Sequence, residues 1–137
     1  MKRTDKISII LCRSSNPGSA EFQNLVVDGE PLYQRVAKKV TAEWNANSNC
    51  FLMIGATYPE EMAVARKIAG DMPFLVPGIG AQGGDVEKTV KAGLNSQKAG
   101  MIINSSRGII FASSGEDFAE QARVEAMKLR DEINRWR

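Results

Sequence analysis

The sequence predicts a parallel α/β fold made of four strand–helix units in a single domain, residues 1–137. Short apolar runs start near residues 7, 51, 74 and 101, and a segment with helical spacing follows each run. Glycine-rich or hydroxyl-rich turns come directly after the runs, where ligands bind in folds of this class. We therefore expect a site at the carboxyl edge of the sheet, with right-handed crossovers between strands.

Composition narrows the classes of function. The chain is 43% hydrophobic and 25% charged with a net charge of +2, and its basic residues are scattered, which predicts neither a nucleic-acid nor a membrane partner. The apolar run at residues 7–12 is too short for a signal peptide, so we expect a cytoplasmic protein. Histidine is absent from the sequence, which disfavours metal hydrolysis and histidine-based triads, and no metal or cofactor is expected.

The first two units have clear local signals. Pro31 starts a helical pattern that asparagines end at residues 45–49, and Pro59 and Gly70 bracket a second helix. Thr57 and Glu60 have the spacing of a capping box for that second helix. The predicted apolar stripes of the two helices are Leu32, Val36, Val40 and Trp44, and Met62, Ala65 and Ala69. Cys12 and Cys50 fall at opposite ends of neighbouring strands, on the order of 16 Å apart, which predicts reduced thiols.

The last two units complete the pattern. The run at residues 74–76 precedes a helix with a buried side formed by Val86, Val90 and Leu94. The run at 101–103 precedes a long terminal helix, for which Ser113, Ser114, Glu116 and Asp117 supply amino-terminal capping chemistry. Its stripe is predicted to be core and consists of Phe118, Ala122, Ala126, Leu129, Ile133 and Trp136.

The third run ends in a glycine-dense turn at residues 77–85. Glycines at 78, 80, 83 and 84 surround Gln82 and allow backbone N–H groups to approach an anion, and the following helix adds its own free N–H groups. Asp85 is expected to cap that helix, which turns its negative charge away from the anion. The alternative is a plain strand-to-helix turn, which needs one or two glycines. Four glycines with a glutamine favour a phosphate site.

Arg107 follows the fourth run and is one strand away from the glycine turn. A guanidinium forms paired bonds with phosphate oxygens, and (β/α)8 barrels often hold phosphate on the loops after their last two strands. A surface ion pair is the alternative explanation for Arg107. Its place beside the glycine turn favours phosphate binding.

Residues 14–18, 76–85 and 106–109 together resemble the carboxyl-terminal half of orotidine 5'-phosphate decarboxylase, and the resemblance covers essentially the whole chain. It implies four βα units of a TIM-type (β/α)8 barrel, with orotidine 5'-phosphate or UMP as ligand. Ser15 would then bond the pyrimidine, and Pro77 and Ile79 would line the pocket near the orotate carboxylate. Gln82 and Arg107 would hold the phosphate, and the predicted substrate-binding residues also include Gly80, Gly83 and Ser106. Ser106 departs from the pattern, because many members have glycine before the arginine.

The family's chemistry depends on an Asp-x-Lys-x-x-Asp motif, and these 137 residues do not contain it. Lys128 and Asp131 have a similar spacing, but Ala126 replaces the leading aspartate and the segment has the pattern of a solvated helix face. We therefore assign no catalytic residue to this chain. On its own it is predicted to be inactive.

Four βα units are half of a barrel and leave two strand edges and the inward sheet face without partners. Three explanations stay open: a truncation of a full enzyme, a split enzyme with a complementary half barrel, or a second copy of the chain that closes the eight strands. A catalytically silent half barrel that binds UMP or another phosphorylated metabolite is the alternative function. A barrel acting on a sugar phosphate is disfavoured, because the hydroxyl-rich turn at residues 14–18 suits a base.

Overall fold

The computed structural model describes residues 3–80 and 83–137. The strands are β1 (Ser8–Arg13), β2 (Val26–Val27), β3 (Glu30–Pro31), β4 (Cys50–Ile54), β5 (Phe74–Pro77) and β6 (Met101–Asn104). The α-helices are α1 (Ser19–Gln23), α2 (Leu32–Lys39), α3 (Pro59–Ala69), α4 (Val86–Gly93), α5 (Ser106–Ile109) and α6 (Phe118–Asn134). A π-helical turn, Val40–Trp44, extends α2.

The main sheet has four parallel strands in the order β1-β4-β5-β6. Leu11 pairs with Met53, Met53 with Leu75, and Leu75 with Ile102, so one layer of side chains runs across the sheet. The strands begin at residues 8, 50, 74 and 101, each within one residue of its predicted start. The predicted parallel α/β architecture is therefore confirmed.

The core lies between the sheet and the helices on one of its faces. Leu52, Ile54, Phe74 and Val76 point to that side and are fully buried. The helices contribute Ala37, Val40, Met62, Ala65 and Val90. Cys12 and Cys50 are buried in this core as free thiols, as predicted.

The predicted bounds of helix α3 are correct, but its predicted capping box is not. Pro59 opens the helix and Gly70 ends it with a φ of 58°, as expected from their positions in the sequence. The capping box is wrong, because Tyr58 is the cap residue and no side chain in the described ranges bonds the helix start. Thr57 lies one residue too early for that contact.

The terminal helix is less buried than its apolar stripe predicted. Within residues 118–134, all of which are described, none is fully buried, and Phe118 is 59% exposed. The helix packs mainly against α4 and α5, so much of its surface stays exposed. Asp117 occupies the cap position, as predicted, but its Oδ1 accepts from Ser113 Oγ at 2.6 Å, and no side chain in the described part of the chain bonds the helix start.

Two short insertions were not predicted. Helix α1 and the antiparallel hairpin of β2 and β3 lie between the first strand and α2. Asp28 and Gly29 form the hairpin turn with φ values of 52° and 82°. An Asp-Gly pair is a recognised signal for a two-residue hairpin turn, so the sequence contained evidence for this element.

The face of the sheet opposite the helices is uncovered. Ile9, Leu11 and Ile102 are 49%, 53% and 50% exposed on this face, which we call the open face. Strands β1 and β6 form its two edges and have no further strand beside them among the described residues. No described helix is both long and apolar enough to cross a membrane.

Candidate functional site

The glycine-dense turn after β5 folds back on itself. Gly78, Gly80 and Gly83 have φ values of 101°, 77° and 83°, which side chains with a Cβ rarely adopt. Gly83 N–H donates to Gly80 O at 2.8 Å and Gly84 N–H donates to Gly78 O at 3.2 Å. Ala81 and Gln82 are outside the described residues, so the phosphate role of Gln82 stays a prediction.

Gly84 closes the turn against the neighbouring strand. A Cβ at this position would lie 2.7 Å from both Ala56 Cβ and Gly78 O, so a larger residue would displace backbone. Asp85 follows and caps α4, with its Oδ1 accepting the Lys88 N–H at 2.9 Å. The predicted cap is confirmed, and this carboxylate is directed at its own helix.

The turn after β6 lies beside the glycine turn. Ser105 Oγ donates to Ile79 O at 3.3 Å and joins the two turns. Together they enclose a small cavity of about 100 Å³ whose walls are Pro77, Gly78, Ile79, Asn104, Ser105, Ser106 and Arg107. Four of the predicted binding residues, Pro77, Ile79, Ser106 and Arg107, therefore meet at one place.

Arg107 lies in the short helix α5 and is exposed to solvent. Within residues 3–80 and 83–137 it has no ion-pair or hydrogen-bond partner. A surface ion pair, the alternative explanation for this residue, is therefore not found among the described residues. The guanidinium is available to an anion at the mouth of the small cavity.

Gly80 and Ile79 also line a larger cavity of about 630 Å³ between the glycine turn and α6. Its walls include the carboxylates Asp85, Glu87, Glu125 and Glu132, and the ammonium group of Lys128. Lys128 Nζ is 2.6 Å from Glu125 Oε1, so its charge is already paired. The excess of negative charge makes this cavity unsuitable for a phosphate.

Ser15 follows the first strand and is not part of the small cavity. It packs against Gly55 at the end of β4, where an added Cβ would lie 2.0 Å from Ser15 Oγ. The hydroxyl is buried and has no hydrogen-bond partner among the described residues. Because β1 is separated from β6 by β4 and β5, a ligand that touches both Ser15 and Arg107 must lie across the sheet end.

The apolar run that predicted the first strand stops at residue 12, but Arg13 is the last residue of β1 and is 1% exposed. Its guanidinium forms an ion pair with Glu61, donates to Ser19 Oγ, and lies 4.3 Å from the centre of the Tyr58 ring. Sequence alternation alone could not place it, since the strand register shifts between Leu11 and Arg13.

The site has few groups suited to covalent or metal chemistry. Burial raises the pKa of Cys12 to about 12, which keeps this thiol protonated at neutral pH. Among the described residues no group of three or more histidine, cysteine, aspartate or glutamate side chains is placed to hold a metal ion. What the described geometry offers is binding: one guanidinium without a partner among the described residues, apolar walls and an unpartnered hydroxyl.

Residues 1–122 match the sequence model of the orotidine 5'-phosphate decarboxylase / HUMPS family. Orotidine 5'-phosphate decarboxylase of Azoarcus sp. (strain BH72) is 56% identical over 133 residues, which are 97% of this chain and 49% of the relative. The Bordetella avium decarboxylase is 58% identical over 132 residues, 95% of this chain and 48% of the relative.

Solved structures give the same result for the fold. The OMP decarboxylase of Leishmania donovani superposes with a TM-score of 0.81 and 34% identity over 97% of this chain and 50% of that structure. The UMP synthase of the same organism gives a TM-score of 0.83 and 38% identity over 97% of this chain and 29% of that structure.

This chain spans about half the length of the curated relatives it matches. Its four βα units correspond to half of the TIM-type barrel of the decarboxylase fold, as the sequence resemblance implied. Family match, relatives and superposition agree on the same assignment. The chain belongs to the orotidine 5'-phosphate decarboxylase / HUMPS family.

Proposed function

We propose that this chain supplies the phosphate- and pyrimidine-binding half of an orotidine 5'-phosphate decarboxylase. The complete reaction converts orotidine 5'-phosphate to UMP and CO₂ in pyrimidine biosynthesis, which we place in the cytoplasm. The observation that carries the proposal is the small cavity between the β5 and β6 turns, where Arg107 lies together with Pro77, Gly78 and Ile79.

The phosphate would be held by groups from both turns. Arg107 would pair with the phosphate oxygens. We assign Gly80, Gly83 and Ser106 to the same site from the sequence pattern. Support comes from the exposed position of Arg107 at the small cavity and from the absence of a competing ion pair on Arg107 among the described residues. We assign Gln82 to the same site from the sequence alone.

The base and its carboxylate would lie deeper along the sheet end. Pro77 and Ile79 would form the apolar wall near the orotate carboxylate, and both line the small cavity. Ser15 would bond the pyrimidine, since its buried hydroxyl lacks a partner among the described residues. An unpaired buried hydroxyl costs free energy, and a ligand that bonds it recovers that cost.

We assign proton transfer to groups outside this chain. The Asp-x-Lys-x-x-Asp motif is absent from the 137 residues, and the similar spacing at Lys128 and Asp131 lies on the exposed side of α6. A binding half without these charges would hold the nucleotide and leave the carboxylate in place. We therefore expect no decarboxylation by the isolated chain.

The open face would bind the other half of the barrel. Its apolar side chains Ile9, Leu11 and Ile102 are about half exposed, and no other described strand pairs with the two strand edges next to them. A complementary four-strand half, on the same or on another polypeptide, would cover this face and pair both edges. The alternative is that a second copy of the chain covers the open face, and native mass spectrometry of the purified chain tests it. A stable dimer would favour closure by a second copy, and a monomer would exclude it.

Calorimetric titration with UMP tests the binding proposal. We expect saturable binding by the chain, and Arg107→Ala should weaken it by roughly 2 kcal/mol because paired charge-assisted bonds are lost. The matched control is Arg123→Ala on α6, which removes an exposed arginine paired with Glu120. Equal affinity of the Arg107 variant and the wild type would remove Arg107 from the site.

A further inference from the structure

The buried Arg13 lies directly behind the turn that carries Ser15. It donates from Nη1 to Gln23 Oε1 at 3.0 Å, in addition to its contacts with Glu61, Ser19 and Tyr58. A buried guanidinium is stable only where its charge and its N–H groups have partners, and here they come from α1 and α3. These contacts fix the end of β1 in place.

A β-bulge brings Arg13 to this position. Leu11 pairs with Met53 and Arg13 pairs with Ile54, so Cys12 is an extra residue in β1. Strict alternation would place Arg13 on the open face with Leu11, but the bulge puts both Cys12 and Arg13 on the buried side. The bulge also changes the direction in which the chain leaves the strand toward Ser14 and Ser15.

Gln23 connects Arg13 to the turn. Its Oε1 accepts a hydrogen bond from Arg13 Nη1 and a second from Ser14 N–H at 2.9 Å. On the other side, Gly55 N–H donates to Arg13 O at 2.7 Å, and the bare Cα of Gly55 leaves room for Ser15. The backbone of Ser14 and Ser15 is therefore held between α1 and the end of β4.

We propose that Arg13, Glu61 and Gln23 form a positioning network that sets Ser15 for contact with the pyrimidine, an inference that rests on the proposed function. Glu61 balances the charge of Arg13, Arg13 orients Gln23, and Gln23 fixes the Ser14 amide. The network is at β1, whereas the phosphate residues follow β5 and β6. Its loss should therefore affect recognition of the base and spare recognition of the phosphate.

The test uses Gln23, because replacing Arg13 leaves a partly buried Glu61 without its counter-charge and can unfold the chain. Gln23→Met keeps the size of the side chain and removes the acceptor, whereas Gln23→Glu retains a carboxylate oxygen. Gln34→Met is the matched control, since Gln34 is also half-buried and bonds only Tyr33 among the described residues. Amide hydrogen exchange of Ser14 and Ser15 is measured by NMR, and affinities for UMP and for ribose 5-phosphate are measured by calorimetry.

In Gln23→Met we expect exchange of the Ser14 amide to rise about tenfold or more, and UMP affinity to fall about tenfold. Ribose 5-phosphate affinity should stay within about twofold, and Gln23→Glu should restore both readouts. Unchanged amide exchange, or an equal loss of affinity for the two ligands, would overturn the network. If the wild-type chain binds neither ligand, the proposed function fails for the isolated chain, and amide exchange alone decides whether Gln23 orders Ser15.

Discussion

Arg66 joins the loops at the amino-terminal ends of β5 and β6. Its guanidinium donates to the carbonyl groups of Gly93, Met72 and Gly70 at 2.7 Å and to Gly100 O at 3.3 Å. It also stacks 3.6 Å from the centre of the Phe74 ring. Burial lowers the pKa of Arg66 to about 10, which leaves the group charged at neutral pH. This end of the sheet is opposite the site, so Arg66 serves stability.

Replacing Arg66 by methionine should cost about 2–4 kcal/mol in the free energy of unfolding, because several buried carbonyl groups lose their donor. Urea unfolding followed by circular dichroism measures the change. Arg123→Met is the control, since Arg123 is exposed and pairs with Glu120 alone, and it should shift the free energy by less than about 0.5 kcal/mol. Equal shifts in the two variants would show that the carbonyl contacts of Arg66 contribute nothing.

Asp71 is an exposed carboxylate that links the end of α3 to the loop before β6. It accepts hydrogen bonds from Ser96 N–H and Ser96 Oγ, both at 3.0 Å, and these bonds hold the pKa of Asp71 below its usual range. Because the pKa is lower in the folded state, the contribution of Asp71 is present above its ordinary value. The contribution is lost as the pH falls through the lowered value.

We therefore expect the stability advantage of the wild type over Asp71→Asn to shrink between about pH 6 and about pH 3. Thermal unfolding at several pH values measures it. Ser96→Ala removes one of the two donors and should give a pH dependence between those of the other two proteins. An advantage that stays constant or grows on acidification would contradict the assignment.

Among the elements, the turn after β4 is where two neighbouring units meet most closely. Gly55 leaves space for Ser15, and an added Cβ would be 2.7 Å from Ser15 N as well as 2.0 Å from its hydroxyl. Gly55→Ala should therefore displace the turn after β1 and cost about 1–3 kcal/mol of stability. Gly18→Ala is a control in the turn after β1 itself, where the nearest atom outside the neighbouring residues is 3.8 Å away. Chemical unfolding measures the free energy of unfolding of both variants. A larger loss of stability in Gly18→Ala than in Gly55→Ala would refute the packing argument.

Local chemistry explains which elements the sequence could predict. Apolar runs predicted the four main strands, and Pro59 and Gly70 bounded α3 correctly, because these signals depend on a few adjacent residues. The glycine turn and the Asp85 cap were predictable for the same reason. The place of Arg13 was not predictable, because the apolar run stops before it and a bulge in β1 shifts the register between Leu11 and Arg13.

The terminal helix shows a different limit. Periodicity correctly identified the apolar side of α6, yet a pattern cannot say whether a partner surface is present to cover it. In the described structure that side is only half-buried, and Phe118 is exposed. The same reasoning applies to Ile9, Leu11 and Ile102 on the open face.

At the scale of the whole molecule, these exposed apolar surfaces are those of half a barrel. The helices cover one face of the four-stranded sheet, and the other face and both edges are without partners in the described part of the chain. The sheet end nevertheless brings together four of the residues predicted to bind the nucleotide. Our account therefore separates binding, which we place in this chain, from proton transfer, which we place in the complementary half.

A reconstitution assay tests that separation most directly. The chain is mixed with the purified part of a decarboxylase relative that it does not match, and CO₂ release from orotidine 5'-phosphate is measured for the mixture and for each component alone. Our account predicts turnover by the mixture only, with loss of most of it when the chain carries Arg107→Ala. Turnover by this chain alone, or a stable complex of the two halves that binds UMP without releasing CO₂ from the substrate, would contradict it.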